Sequence, residues 1–262
     1  MSPSLYERIV VWNERRIERI RLNGKYLRTT DGFVYKGIRA QLSPDWEPLT
    51  RELVKAFSKN TLSFVNVGAH YGYYTCMAAQ LGMQVTAFEP IDANFQMLRD
   101  NLEKNELLAN VRIIHGAVGA HSHITKIYGA FSGATLIPGN SRKPESMYQI
   151  TQVYRLSEIV FNREPTLFLM DVEGFELQVL DGAGDLLKDS ENNSWIVETG
   201  GDRLLEFGTR MMDAGYSLFH IGRSKLTPIS LTDLKSSTLG GNFLCTNLSL
   251  IKNKELVAKY SL

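Results

Sequence analysis

The chain reads as an α/β protein built on a mostly parallel sheet, with a short N-terminal helical or hairpin extension, and three stretches predict this. An apolar run, Leu62 to Val67, passes through Gly68-Ala69 into a helical pattern beyond Tyr71. A second run, Met83 to Phe88, stops at Glu89-Pro90 and leads into another helix. A third, Thr166 to Met170, is apolar enough to be buried on both faces, as central parallel strands are, and it opens onto Asp171, Glu173 and Glu176 around Gly174. Strands alternating with helical stretches define a parallel sheet flanked by helices.

Composition sets the outer limits. With 262 residues, 44% hydrophobic and 22% charged, the chain can bury one sizeable core. We divide it into an extension, residues 1–45, and a main domain, residues 46–262. Twenty-nine basic against 28 acidic residues leave a net charge of +1, which offers no global field for nucleic acid or membrane; such a partner needs a local patch. Two cysteines, Cys76 and Cys245, suit a reducing compartment as small core residues. No stretch is apolar enough for a signal peptide or a membrane span, so a cytoplasmic protein is expected.

In the extension, Leu5, Ile9, Trp12, Ile17 and Ile20 recur at helical spacing among Glu14, Arg15, Arg16, Glu18 and Arg19, giving an amphipathic helix or one breaking into a hairpin at Asn23-Gly24. Its basic bias fits a solvated face, a self-association surface that would make a homo-oligomer, or a grip on a phosphorylated substrate. A strand-like run, Phe33 to Arg39, precedes a helix from about Glu47 to Phe57 capped by Ser43 or Asp45. Trp46 and Glu47 stand where they can overhang the sheet or serve as a packing staple.

Gly68 lets the backbone approach a ligand, and the helix behind it presents unpaired N–H groups to an anion; alone, the turn is equally a tight strand-to-helix connection. Glu89, roughly 20 residues on, occupies the position of the ribose-holding acid in nucleotide-binding α/β folds, or caps a helix as a surface residue. Ile91 to Asn105 follows as a helix, then Val111 to Gly119 as a third strand. The turn after that strand, with Gly116, Ala117 and Val118, lies beside the base of a bound nucleoside in such folds; His115 either stacks there or is an ordinary polar residue.

Residues 119–152 weaken into short strand-like pieces around an irregular separator. Its Ser132, Asn140, Arg142 and Lys143 are candidates to meet a polar substrate, against the alternative of a surface loop. After the Asp171 motif, Ser194 to Val197 forms another strand ending at Glu198, a further carboxylate on the same edge. A helix from Arg203 to Met212, a strand over SLFHIG, a polar loop, a terminal antiparallel strand over NFLCTNLSLI and a frayed end at Ala258 to Leu262 complete the chain. Close carboxylates raise one another's pKa, and a metal or cationic ligand relieves the repulsion.

FVNVGAHYGYYT, AFEP and FLMDVEGFELQVLDGA together resemble the FkbM family of S-adenosylmethionine-dependent methyltransferases, over about Glu47 to Gly222. The resemblance implies a Rossmann-like seven-stranded sheet with a reversed last strand, binding S-adenosylmethionine at its carboxyl edge. Carried across, Gly68, Ala69 and His70 wrap the methionine portion with Thr75 nearby, Glu89-Pro90 holds the ribose, Gly116 to Val118 lie by the adenine, and Asp171 sits near the methionine amino group and the methyl. Asn66 stands where such turns usually begin with Asp, and His70 replaces Asn.

The implied reaction is O-methylation of a sugar or other small-molecule hydroxyl. Methyl transfer is an in-line displacement, so the protein mainly aligns the partners and excludes water. Asp171, Glu173 and Glu198 are the candidate bases. Alternatively, Asp171 and Glu198 ligate a divalent cation such as magnesium, whose hard oxygen ligands they are. Tyr71, Tyr73, Tyr74, Trp46 and the loop from Phe131 to Met147 are candidate substrate walls. Rival classes are a nucleotide-dependent oxidoreductase, which the missing G-x-G-x-x-G argues against, an RNA or protein methyltransferase, for which no basic groove is seen, and a non-catalytic binding module.

Overall fold

The computed structural model describes residues 5–129, 133–141, 143–161, 164–236, 239–249 and 251–261, with the side chains of 14, 15, 18, 19, 21, 22, 236, 251 and 252 outside the description. The candidates Phe131, Ser132 and Arg142 lie outside the described residues. Helix α1 (Leu5–Leu22) leads to a small hairpin, β1 (Leu27–Arg28) and β2 (Val34–Tyr35). Asn23-Gly24 therefore ends the helix, and the hairpin turns instead through residues 29–33, where Thr29 and Phe33 exchange backbone and hydroxyl bonds around Gly32. Helix α2 (Pro48–Phe57) follows, with Glu47 at its N-cap in left-handed geometry and no side-chain cap from Ser43 or Asp45.

The main sheet takes β3 (Ser63–Val67), β4 (Gln84–Glu89), β5 (Val111–His115), β9 (Thr166–Met170), β10 (Asn193–Gly200), β11 (Ser217–Ile221), β12 (Leu226–Ile229) and β13 (Gly240–Thr246) in the order β12-β11-β13-β10-β9-β3-β4-β5. The five strands from β5 to β10 pair in parallel, and β13 runs against both its neighbours. The expected seven-stranded sheet with a reversed last strand is thus present, and β12 adds an eighth strand at the edge where the sequence reads as polar loop. Only Leu226 and Ile229 of β12 are buried, and Pro228 lacks a donor, both marks of an edge strand.

Helices α3 (Tyr73–Gln80) and α4 (Asp92–Lys104) follow β3 and β4. Beyond β5 the chain bends at Gly116 into β6 (Ala117–Gly119), which leaves the main sheet and joins β7 (His123–Tyr128) and β8 (Tyr148–Arg155) in the order β6-β8-β7. The single strand expected over Val111 to Gly119 is therefore two. Helices α5 (Leu156–Ile159), α6 (Glu176–Ala183), α7 (Asp185–Lys188), α8 (Leu204–Asp213), α9 (Leu231–Ser236) and α10 (Ile251–Tyr260) complete the chain. α10 replaces the end of the expected last strand and the frayed terminus, anchored by buried Val257.

Period-two alternation sorts the central strands between two cores. Phe64, Leu167, Leu169 and Ile196 join Leu53, Met77 and Leu98 on one face. Val65, Val67, Phe168, Met170, Trp195 and Val197 join Val179, Leu180 and Phe207 on the other, where Phe168 stacks on Trp195 with centroids 4.0 Å apart. Both cysteines are buried, free and part of these cores. Among the described residues, no helix is long and apolar enough to cross a membrane.

Residues 29–36 are stitched onto this frame. Asn101 of α4 and Asn105 just beyond it exchange hydrogen bonds with the backbone of Lys36 and Val34 at 2.7–2.9 Å. Asp31 pairs with Arg51 at 2.7 Å and Lys55 at 2.9 Å and accepts from Tyr73 at 2.6 Å. Burial works against that carboxylate, yet those three donors hold it down to about 2.

Candidate active site

Sheet register assembles the site. Val67 pairs with both Phe88 and Met170, and Met170 with Val197, so Gly68, Glu89, Asp171 and Glu198 emerge at one carboxyl edge. Between β3 and β9 the order reverses direction, the place where open α/β sheets form their ligand crevice. There lies a cleft of about 250 Å³ lined by Gly68, His70, Glu89, Pro90, Gly116 to Val118, Asp171 and Glu173, among others. A smaller cavity of about 60 Å³ shares Trp46, Glu47, Gly68, His70 and Asp171 and adds Asn66, Ala69 and Glu198.

The glycine turn is held against both neighbouring strands. Gly68 and Ala69 donate to Phe88 O at 3.0 and 2.8 Å, and Asp171 N–H donates to Val67 O at 3.0 Å. Gly68 has φ +85°, and a Cβ there would lie 1.9 Å from the Asp171 carbonyl oxygen. Only glycine fits this crossing.

Glu89 is buried at 3% exposure, and its carboxylate knits the crevice. Oε2 accepts from His70 N–H at 2.7 Å, and Oε1 accepts from Ile91 N–H at 2.9 Å and the Asn94 amide at 3.1 Å. Burial pushes its pKa up to about 7 against these three bonds. Oε1 has both lone pairs engaged with these donors, whereas Oε2 has one accepted bond and room for another.

Asn66 donates to Thr75 Oγ1 at 2.9 Å, and its buried Oδ1 has no hydrogen-bond partner among the described residues. Thr75 is fully buried and lines neither cavity, so it positions Asn66 and does not face a ligand. His115 likewise turns away from the cleft: it stacks on Phe95 with centroids 4.5 Å apart and meets Asp92 at 3.1 Å. Gly116 N–H donates to Glu89 O, which carries Ala117 and Val118 onto the cleft wall.

The Asp-Val-Glu-Gly-x-Glu stretch divides its carboxylates. Asp171 opens into the cleft. Its side chain is exposed at the open cleft, yet the protein atoms around it strip part of its hydration and push its carboxyl above the usual range, and the charges of Glu198, Glu173, Glu47 and Glu176 push further. Glu198 is raised by desolvation and then by Glu47, Glu173 and Glu176. Glu173 also lines the cleft, in left-handed geometry at φ +50°. Glu176 does not face it: buried at 2%, it accepts from Gly174 N–H at 2.8 Å and pairs with Arg203 at 3.1 Å, fixing the turn.

Trp46 and Glu47 do overhang the sheet. Glu47 accepts from Tyr74 at 2.6 Å, and desolvation raises its pKa against hydrogen bonds from Tyr74 and Asn242. Motif reading missed Glu47 as a site carboxylate because its approach depends on the left-handed turn before Pro48. Tyr71, Tyr73 and Tyr74 line the smaller cavity but are core residues, at most 8% exposed. On the far rim, Thr135 Oγ1 donates to Glu173 O at 3.0 Å, pinning the segment that brings Gly133, Ala134 and Leu136 to the cleft. Among the described residues, no group of three or more His, Cys, Asp or Glu is arranged to hold a metal ion.

A parallel sheet whose order reverses between β3 and β9, with a glycine turn after β3, an acid at the end of β4 and carboxylates after β9, is the arrangement of a nucleotide-binding Rossmann-like fold. Residues 66–218, more than half of the chain, match the methyltransferase FkbM domain, and the chain belongs to that family. No curated protein sequence matches the chain. Similar solved structures include a SAM-dependent methyltransferase from Agrobacterium tumefaciens (11% identity, 84% of this chain and 68% of that one, TM-score 0.46). A TehB-like SAM-dependent methyltransferase from Corynebacterium glutamicum is 11% identical over 92% of this chain and 98% of that one, with TM-score 0.44. A putative O-methyltransferase from Klebsiella pneumoniae is 10% identical over 94% and 92%, with TM-score 0.43. Family membership rests on the sequence match and not on these distant likenesses.

Proposed function

We propose that the chain is an O-methyltransferase acting on a hydroxyl of a sugar or other small molecule, with Asp171 as the base. One observation carries this reading: a carboxyl of raised pKa opens into the cleft directly across the glycine turn. A base whose pKa is lifted toward neutrality accepts an alcohol proton more readily than an ordinary carboxylate.

The residues suit S-adenosylmethionine, which supplies a methyl group on a cationic sulfonium. The unpartnered Oδ1 of Asn66 fits an ammonium donor, where an Asp would have added a charge that Glu47, Asp171 and Glu198 supply here. Gly68, Ala69 and His70 form the floor under the amino-acid portion. The open lone pair of Glu89 Oε2 accepts one ribose hydroxyl, beside Pro90. Gly116, Ala117 and Val118 make the apolar wall for the base. Glu173 and Glu198 flank Asp171 and hold its pKa up. Ile38, Gln41, Trp46 and Glu47 on one side and Gly133, Ala134 and Leu136 on the other border the same cleft as the proton-accepting oxygen.

Incubation with methyl-labelled S-adenosylmethionine and separate panels of glycans, phenols, amines and RNA tests the reading. A methyl ether on a hydroxylated acceptor supports it. Label found on nitrogen, on carbon or in RNA overturns the oxygen assignment while leaving the family intact.

A further inference from the structure

Helix α1 turns its apolar stripe away from the protein. At about 100° per residue, Leu5, Tyr6, Ile9, Trp12, Ile17 and Ile20 share one sector roughly 140° wide, into which Asn13 and Arg16 also fall. All six are exposed, Leu5 at 73%, Trp12 at 61% and Ile20 at 62%. The helix meets the domain on its other side, where Glu7, Val10 and Val11 are half-buried, Ser146 Oγ donates to Glu7 Oε1 at 3.4 Å, and α4 lies alongside. An amphipathic helix packed on a core normally does the reverse, so this stripe is built for something outside the chain.

Charge identifies the occupant. The exposed charged side chains described on α1 are Arg8 and Arg16, with the Arg16 guanidinium 5.7 Å from the Trp12 ring centroid. Among the described side chains of the helix, the single acid, Glu7, is on the domain side. Pairing this face with a second copy would bring together two helices that each carry five arginines against three glutamates in sequence. A lipid surface with anionic headgroups answers both features: acyl chains for the stripe, phosphate oxygens for the arginines, and the polar–apolar boundary that Trp and Tyr favour. A net charge of +1 supplies no long-range pull, so the local patch must carry the attraction.

We propose that α1 docks the protein on an anionic lipid surface, lying in the headgroup plane with its stripe immersed. The helix spans nothing and anchors reversibly. Through Glu7 and Ser146 it is joined to the segment whose upstream residues wall the cleft. The inference does not depend on the acceptor's identity.

Sedimentation of the full chain with vesicles of phosphatidylcholine, alone or mixed with phosphatidylglycerol, tests it. Binding is expected to the mixed vesicles only and to weaken in high salt. The double variant R8E/R16E should lose about 25-fold or more in partitioning, at about fivefold per basic residue near an anionic surface. I9S/W12S should abolish binding, with far-UV circular dichroism and S-adenosylmethionine binding unchanged as evidence that the domain is intact. Equal binding to neutral and mixed vesicles, or none to either, overturns the proposal. So does a concentration-dependent dimer in light scattering that I9S/W12S dissolves, which would assign the stripe to a second copy.

Discussion

Gly68→Ala probes the closest approach in the crevice. The added Cβ would lie 1.9 Å from the Asp171 carbonyl oxygen and 3.0 Å from its carbonyl carbon. A carbon–oxygen contact settles at roughly 3.3 Å, so the turn and the Asp171 peptide must part by about 1.4 Å. That movement breaks the 3.0 Å bond from Asp171 N–H to Val67 O and shifts the proposed base. The left-handed backbone adds about 1 kcal/mol for a residue with a Cβ, and overpacking typically adds about 1–3 kcal/mol. A total near 2–4 kcal/mol corresponds to a melting temperature lower by roughly 5–15 °C for a chain of this size. Circular dichroism melts read the stability, and calorimetric titration with S-adenosylmethionine reads the site, where affinity should fall about tenfold or more. A variant that melts with the parent and binds the cofactor equally would refute the crossing as the constraint described.

Three further outcomes follow from the same geometry. Asp171→Asn should lower kcat by about 10²- to 10⁴-fold with a smaller effect on cofactor affinity, and should flatten the acid limb of the pH–rate profile, because protonation of the raised carboxyl removes the base as pH falls; retention of that limb would exclude Asp171. Entry of a cationic ligand beside Asp171, Glu198 and Glu47 should lower their raised pKa values and release protons, seen as a calorimetric binding enthalpy that varies with the buffer's ionisation enthalpy; a buffer-independent enthalpy would contradict it. Asp31→Asn should cost roughly 3 kcal/mol by leaving Arg51 and Lys55 without their carboxylate. Since the folded Asp31 titrates at about 2, below its ordinary 3.8, its stabilisation is present above pH 4 and fades as pH falls toward 2; an unchanged acid melting profile in the variant would contradict this.

The divalent cation expected at Asp171 and Glu198 has a separate measurement. Two carboxylates that repel each other are the support for it, and no larger donor group accompanies them among the described residues. Activity lost on dialysis against a chelator and restored by magnesium would favour metal assistance. Unchanged activity would leave the carboxylates as base and neighbours.

What was legible in the sequence followed from burial. Strands apolar on both faces, such as Thr166–Met170, announce a parallel sheet, and the polar residues just beyond their ends must lie on its carboxyl edge. That logic placed Gly68, Glu89, Asp171 and Glu198 correctly in one row. It could not say which way a polar side chain turns. Glu176 and Asp171 read alike as carboxylates, yet one is claimed by Arg203 and Gly174 N–H and the other opens into the cleft. His115 is drawn outward by Phe95 and Asp92 of α4, the helix that precedes its strand. β12 was missed because an edge strand with two buried residues carries almost no alternation signal. Asn23-Gly24 misled because a turn dipeptide marks where a helix stops as readily as where a hairpin folds.

The central claim is that the cofactor lies across the tips of β3 and β4 with its reactive carbon turned to Asp171. A crystal structure with S-adenosylmethionine or its demethylated product tests this most directly. The account predicts a ribose hydroxyl on Glu89 Oε2, the base against Gly116 to Val118, and the sulfur side of the ligand facing the Asp171 carboxyl. A ligand that leaves Glu89 untouched, or one whose sulfur points away from β9, would contradict it.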